Sequence, residues 1–197
     1  MSDSDDPVEL LARALRQAAD VVAATRPEQG ALPTPCRSWD VTGLVSHLLG
    51  DLRQSLVRAN GGAPDWKAPT ERVTEDWEKA FRTGAEELIA AWQRAGDLSG
   101  VLDVPGMGEV PARFPVDQQI VEFAVHTWDL ATATGQSTDL DETVGRTALD
   151  WGRAALRPEF RGAESEGHDF GPEIPIGTDA PVYDQLAAWA GRRPAGV

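Results

Sequence analysis

Two histidines and a glutamate have the residue types and the spacing of a metal site. Glu122 and His126 are one helical turn apart, so that in a helix both side chains project from the same face. His47 lies much earlier, in a separate stretch with a helical pattern of apolar residues. If the two helices pack side by side, two imidazoles and one carboxylate converge. That ligand set suits a divalent cation such as zinc, and it leaves one coordination position open for chemistry.

Each of these three residues also has an ordinary alternative explanation. A lone histidine beside an apolar stripe is more often a hydrogen-bonded core residue, and a glutamate on a helix is more often solvated. The combination is more specific, because the chain has three histidines and two of them border helix faces that should meet in one core. A carboxylate beside such a face is also costly unless it is paired or bound to a metal.

An aspartate follows each of the two histidines by about one helical turn. Asp51 follows His47, and Asp129 follows His126. Either carboxylate could orient the neighbouring imidazole by accepting a hydrogen bond from it. We interpret both as exposed helix charges, because aspartates are mostly found at the surface.

The elements that must position these residues are amphipathic helices. Apolar residues at helical spacing predict helices over 7–26, 40–60, 71–95, 115–134, 141–157 and 182–190. Asp40 is the predicted N-cap of the second helix, with Ser38 as a second candidate. Residues 100–115 predict a short hairpin or an extended excursion. Four long helices favour an all-α fold, a four-helix bundle with additional C-terminal helices.

Composition limits the class of protein. The chain has 197 residues, of which 41% are hydrophobic and 25% charged. This length and composition predict a single domain over 1–197. We expect its core at about 7–157 and a C-terminal extension over 158–197. The net charge of −14 argues against nucleic acid and against an anionic membrane surface. No apolar run approaches the length of about 20 residues that spans a bilayer. A single cysteine favours a reducing cytoplasm.

Three sequence motifs resemble a known family. They are TPCRSWDVTGLVSH ending at His47, EFAVHTWDLA beginning at Glu122, and FGPEIPI beginning at Phe170. Together they resemble the metal-binding domain of the mycothiol-dependent maleylpyruvate isomerase family, within the DinB-like superfamily, and most closely an actinobacterial group of metal-binding proteins. The resemblance spans most of the chain, from Thr34 to about Arg193.

The resemblance implies a DinB-like four-helix bundle that binds a divalent metal through His47, Glu122 and His126. Zinc is the expected metal, with Ni²⁺, Fe²⁺ and Mn²⁺ as alternatives, and mycothiol is the implied cosubstrate. The isomerase carries a further C-terminal domain that contributes to its active site. This sequence ends soon after the predicted bundle, so a thiol transferase or an isomerase-like enzyme is expected rather than an enzyme that isomerises maleylpyruvate itself.

The leading functional prediction is an enzyme that activates a low-molecular-weight thiol, mycothiol, for transfer to a small electrophilic substrate. A thiol at the open metal position loses its proton easily, because the cation stabilises the thiolate. Two alternatives stay open. The protein could be a metal-dependent hydrolase that uses bound water, or a protein that holds a metal or ligand without turnover. A homodimer formed through a helix face is a further prediction.

Two other residues could take part in the site. Cys36 precedes a predicted helix start, a position that lowers the pKa of a thiol, although a packing role is the favoured interpretation. His168 could supply a fourth ligand, but it lies in a glycine-rich loop, where a surface histidine is the favoured interpretation. The sequence does not decide the role of either residue.

Overall fold

The computed structural model describes residues 6–66, 68–74, 76–104, 108–156, 161–162 and 170–194. In this part of the chain, six α-helices and one pair of strands follow one another in the order α1 (Pro7–Ala24), α2 (Val41–Ala59), α3 (Trp77–Ala95), β1 (Val101–Val104), β2 (Gly108–Pro111), α4 (Phe114–Thr134), α5 (Glu142–Ala155) and α6 (Val182–Trp189). A short 3-10 turn at Pro27–Gln29 lies between α1 and α2.

The helices begin and end at residues suited to those positions. Asp6 caps α1 by accepting a hydrogen bond from the Val8 N–H. Asp40 caps α2 in the same way, 2.7 Å from the Gly43 N–H, so the predicted N-cap is confirmed. Gly135 ends α4 in the left-handed conformation, with φ of 70°, which glycine adopts without a Cβ penalty.

The first four helices form the bundle. α1 packs against α3 and α4, and α2 packs against α3 and α4, while α5 covers the outer side of α4 and α6 packs on α5 and α4. The predicted all-α, DinB-like bundle is therefore confirmed. Its centre is filled by large apolar side chains that are fully buried, each stabilising the fold by roughly 1.5–3 kcal/mol relative to exposure. They include Leu11, Leu15, Leu44, Leu48, Leu52, Phe81, Leu88, Ile120, Phe123 and Leu130.

The predicted excursion between α3 and α4 is a hairpin. β1 and β2 pair antiparallel, with Leu102 opposite Val110. The two strands are short and largely exposed, and their residues 101–104 and 108–111 contribute no large side chain to the bundle core. Its effect is to carry the chain from the end of α3 to the start of α4.

The predicted start of α3 is wrong. The helix begins at Trp77 rather than at residue 71. The Val73 N–H instead donates to Ser46 Oγ on α2, at 2.9 Å, and the Val73 carbonyl accepts from Trp77 Nε1. Asp76 then takes a left-handed conformation, with φ of 55°, which separates this segment from the helix. The remaining helix ends lie within two residues of the predicted ones, and the end predicted for α5 at 157 lies outside the described residues.

None of the described helices carries an apolar stretch long enough to cross a membrane.

Candidate metal centre

The three predicted ligands meet at the interface between α2 and α4. His47 Nε2 lies 2.9 Å from Glu122 Oε1, and His126 Nε2 lies 3.0 Å from the same oxygen. One donor atom from each residue lies within 4.8 Å of the other two. His47 lies far from Glu122 and His126 in the sequence, and the three residues meet because α2 and α4 pack side by side in the bundle.

The centre is buried on one side and accessible on the other. His126 points inward with 7% of its side chain exposed, whereas His47 and Glu122 retain 19% and 27%. On α2, the core positions Leu44 and Leu48 flank His47, which places its imidazole at the edge of the core. A small molecule could therefore approach from the side of His47 and Glu122.

The donor atoms fit a divalent cation. Ligand atoms of a tetrahedral zinc site lie about 2.0–2.1 Å from the metal, and hence roughly 3.3 Å from one another. The separations of 2.9 and 3.0 Å around Glu122 Oε1 need to open by only a few tenths of an ångström. Two imidazole nitrogens and one carboxylate oxygen are donors that zinc and other divalent transition metals accept.

Asp129 holds the imidazole of His126 from behind. The Nδ1–H of His126 donates to Asp129 Oδ2 at 3.0 Å, which leaves Nε2 facing Glu122. The side chain of Asp129 has no exposed surface, so our interpretation of it as an exposed helix charge is wrong. The reason is that α4 is covered on its outer side by α5 and α6, which buries a face that an amphipathic helix would leave in water.

Arg192 neutralises this buried carboxylate. Its Nη2 lies 3.1 Å from Asp129 Oδ2, and its Nε lies 3.3 Å from both carboxylate oxygens. Its Nη1 donates to the Ala190 carbonyl at 2.8 Å. Sequence reasoning missed Arg192, because nothing in the local pattern after α6 connects it to a residue of α4.

Asp51 lies beside the accessible side of the centre. Its Oδ2 is 3.2 Å from His47 Nε2, and its side chain is 17% exposed. The interpretation of Asp51 as an exposed helix charge is therefore also wrong. Its position one turn after His47 on α2 directs the carboxylate back toward the histidine.

Trp39 forms a wall of the centre. Its ring stacks on the imidazole of His47, with centroids 4.1 Å apart and planes 18° from parallel. The same ring meets His126 edge-on, at 5.7 Å. Trp39 thus restricts the orientation of His47, whose Nε2 is hydrogen-bonded to Glu122 Oε1 and lies 3.2 Å from the Asp51 carboxylate.

The charges of the centre depend on one another. Burial opposes the charge on His126, but the carboxylates of Glu122 and Asp129 outweigh it and raise the pKa of His126 to about 9. Burial also opposes the charge on Glu122, yet His126 and His47 hold the pKa of that carboxyl well below its usual value. The metal-free centre is accordingly an ion pair, and a metal ion must displace a proton to bind.

Of the other two candidate residues, the structure describes only Cys36, and it adds no ligand to the cluster. Cys36 is buried in the loop before α2, and its thiol is not among the clustered donor atoms. Its carbonyl accepts hydrogen bonds from Thr34 Oγ1 and from the Trp39 N–H, which shape the loop that carries Trp39. His168 lies outside the described residues.

Comparisons with known proteins identify relatives of this chain. The family model described as the mycothiol maleylpyruvate isomerase N-terminal domain matches residues 11–131, which include all three clustered donors. Two proteins of Mycobacterium tuberculosis, the uncharacterized protein MT0763 of strain CDC 1551 and the uncharacterized protein Rv0738 of strain H37Rv, are each 35% identical over 187 residues, covering 95% of this chain and 98% of their own length. No solved structure matches the chain significantly. The predicted family resemblance is confirmed.

Proposed function

This chain belongs to the mycothiol maleylpyruvate isomerase N-terminal domain family, and we propose that it binds one divalent cation, zinc, through His47, Glu122 and His126. We propose further that the site activates a low-molecular-weight thiol, mycothiol, for transfer to a small electrophile. The family match supports the metal and the class of thiol. The convergence of three donor atoms within 4.8 Å, from two helices far apart in the chain, is the observation that carries the proposal.

A bound divalent cation would supply Lewis acidity, which lowers the pKa of a coordinated thiol or water. The remaining chemistry belongs to the side chains around it. A divalent cation held by two neutral imidazoles and one carboxylate would keep a net positive charge, which suits an anionic sulfur. His126 is oriented by its hydrogen bond to Asp129, and His47 is oriented by the stacked ring of Trp39.

We assign the proton lost by the thiol to Asp51. Its Oδ2 lies on the accessible side, 3.2 Å from His47 Nε2, within reach of a group that approaches the centre from solvent. A carboxylate at this place can accept the proton and release it to water. The thiolate sulfur then forms the new bond to the electrophilic carbon, and the leaving group departs with the electron pair.

The test is thiol-dependent consumption of chlorodinitrobenzene by zinc-loaded protein, with mycothiol as the thiol. We expect turnover by the native chain and its loss in the His47→Ala, His126→Ala double variant, with the rate of the uncatalysed reaction subtracted from both. Zinc-dependent hydrolysis of an activated ester without thiol would instead identify a hydrolase. Tight zinc retention with neither activity would identify a binding protein without turnover.

A further inference from the structure

A charged contact joins the end of the described chain to the candidate metal centre. Arg192 follows α6 and lies outside the residues 11–131 matched by the family model. We propose that Arg192 is a positioning residue of the metal centre, which acts through Asp129 to fix the orientation of His126. The inference rests on the proposed metal centre and adds to it a residue that the family match does not reach.

The contacts form a continuous series. The guanidinium of Arg192 uses Nε and Nη2 on the carboxylate of Asp129, at 3.1–3.3 Å. The same carboxylate accepts the Nδ1–H of His126, and the opposite nitrogen of that ring faces Glu122 Oε1. Arg192 is itself fixed by its bond to the Ala190 carbonyl. A shift of the guanidinium would therefore move the carboxylate that holds the imidazole.

The ion pair between Asp129 and Arg192 is buried, which bears on what it contributes to the protein. The side chains of Asp129 and Arg192 are 0% and 3% exposed. A buried ion pair is weak evidence for a purely stabilising role, because the cost of removing two charges from water often exceeds their attraction, and apolar residues can replace such a pair. Here the carboxylate also orients a histidine whose other nitrogen is a candidate ligand atom. Such outer hydrogen bonds commonly change metal affinity by 10–100-fold.

A second arginine of the same region offers a matched control. Arg161 donates to the backbone carbonyls of Gly171 and Trp189, and its guanidinium lies over the Trp189 ring at 4.8 Å. It therefore attaches residues 161–162 to the end of α6. Within the described residues, these contacts lie away from Asp129. Loss of Arg161 should weaken the packing of the region without disturbing the carboxylate behind His126.

The experiment measures zinc affinity by competition with a chromophoric chelator in full-length variants. We expect Arg192→Met to weaken zinc binding by about tenfold, at the low end of such effects, and Arg192→Lys to lose less, because it keeps the charge but not the forked contact. The visible spectrum of the Co²⁺-loaded protein should change in Arg192→Met. Arg161→Met should lower the Tm of the metal-free protein and leave zinc affinity within about twofold of the native value, because the Arg161 contacts are with Gly171 and Trp189 rather than with Asp129.

A double variant keeps the test decisive if Arg192→Met fails to fold. Asp129→Asn, Arg192→Met removes both buried charges, and it should bind zinc no more weakly than Asp129→Asn alone, because Arg192 acts through Asp129. Equal zinc affinity in native protein, Arg192→Met and Arg192→Lys would overturn the inference, as would independent losses in the double variant. Failure of the native protein to bind zinc would instead overturn the proposed metal centre, and His126→Ala serves as the reference for a lost ligand.

Discussion

His126 is held from both sides of its ring, and this sets the chemistry of the metal-free protein. Nε2 faces Glu122 and Nδ1 donates to Asp129, so both nitrogens can carry protons that find carboxylate partners. The folded state thus favours the imidazolium. A cation that replaces the Nε2 proton would be bound by the same nitrogen, with Asp129 still accepting the hydrogen bond from Nδ1. The same side-chain arrangement therefore suits the protonated, metal-free centre and the cation-bound centre.

The raised pKa of His126 predicts how the stability of the metal-free protein depends on pH. The folded-state pKa is about 9, above the ordinary value of 6.5. Its contribution to stability is therefore fully present below about pH 6.5 and is lost as the pH rises through about 9. We expect the free energy of unfolding in urea and EDTA to fall more over this range in native protein than in His126→Gln. Parallel pH profiles of the two proteins would contradict the expectation.

The sequence predicts the three candidate ligands but not the residues behind them. Glu122 and His126 share one helical turn, so their spacing alone predicts that they lie together. The burial of Asp129 was open to inference, because the residues around it are apolar on nearly every face, a pattern typical of a helix covered on all sides. Arg192 had no such signal, since its contact with Asp129 depends on how the chain after α6 returns to α4.

At the scale of elements, the residue at which α2 begins determines where along the bundle His47 lies. Asp40 caps this turn and also accepts a hydrogen bond from Arg72 at 2.7 Å. We expect Asp40→Ala to lower the free energy of unfolding by about 1 kcal/mol, because a helix-terminal N–H loses its acceptor. Asp40→Asn should retain most of the stability in a urea titration.

Arg72→Ala is the control for this cap. It removes the exposed ion pair with Asp40 but leaves the hydrogen bond to the Gly43 N–H, and exposed pairs contribute only about 0–1 kcal/mol. A loss in Arg72→Ala as large as that in Asp40→Ala would show that the ion pair, rather than the cap, stabilises the start of α2.

The close contact between α5 and α6 requires a glycine at position 152. A Cβ atom at Gly152 would lie 2.5 Å from Cη2 of Trp189, a buried ring that has little freedom to move. We expect Gly152→Ala to lower the free energy of unfolding by about 1–3 kcal/mol, the usual cost of overpacking a core. Gly50→Ala on α2 is the control, because its Cβ would make an ordinary contact at 3.4 Å with Thr70. Equal stability of the two variants would contradict this view of the α5–α6 contact.

Helical periodicity predicted the six helices, and strand and turn residues predicted a hairpin or an extended excursion, but the periodicity failed at the start of α3. The apolar residue Val73 fits the stripe of that helix, yet its backbone is hydrogen-bonded to Ser46 and its carbonyl accepts from Trp77. A tertiary hydrogen bond with a neighbouring helix thus replaced a turn of helix. Such a contact cannot be inferred from the spacing of residues in one segment.

At the scale of the whole molecule, the candidate ligands join two helices of the bundle that are far apart in the chain. A cation bound by all three would favour the folded state, because the unfolded chain does not hold the three donors together. The predictions of one domain over 1–197 and of a homodimer stay predictions.

Zinc should therefore raise the thermal stability of the whole protein. At a free zinc concentration of about 100 times the Kd, linkage predicts a gain of about 2.7 kcal/mol. We expect a higher Tm on adding zinc to native protein and no change for His47→Ala, measured by differential scanning calorimetry. An equal rise in both proteins would place the bound zinc elsewhere on the acidic surface.

The most direct test of the central claim is elemental analysis of the purified, exhaustively dialysed protein beside its His47→Ala, His126→Ala double variant. If His47, Glu122 and His126 hold a divalent cation, the native chain retains about one metal ion per molecule, as expected for a three-ligand site, and the double variant retains none. Equal metal content in the two proteins would contradict the account.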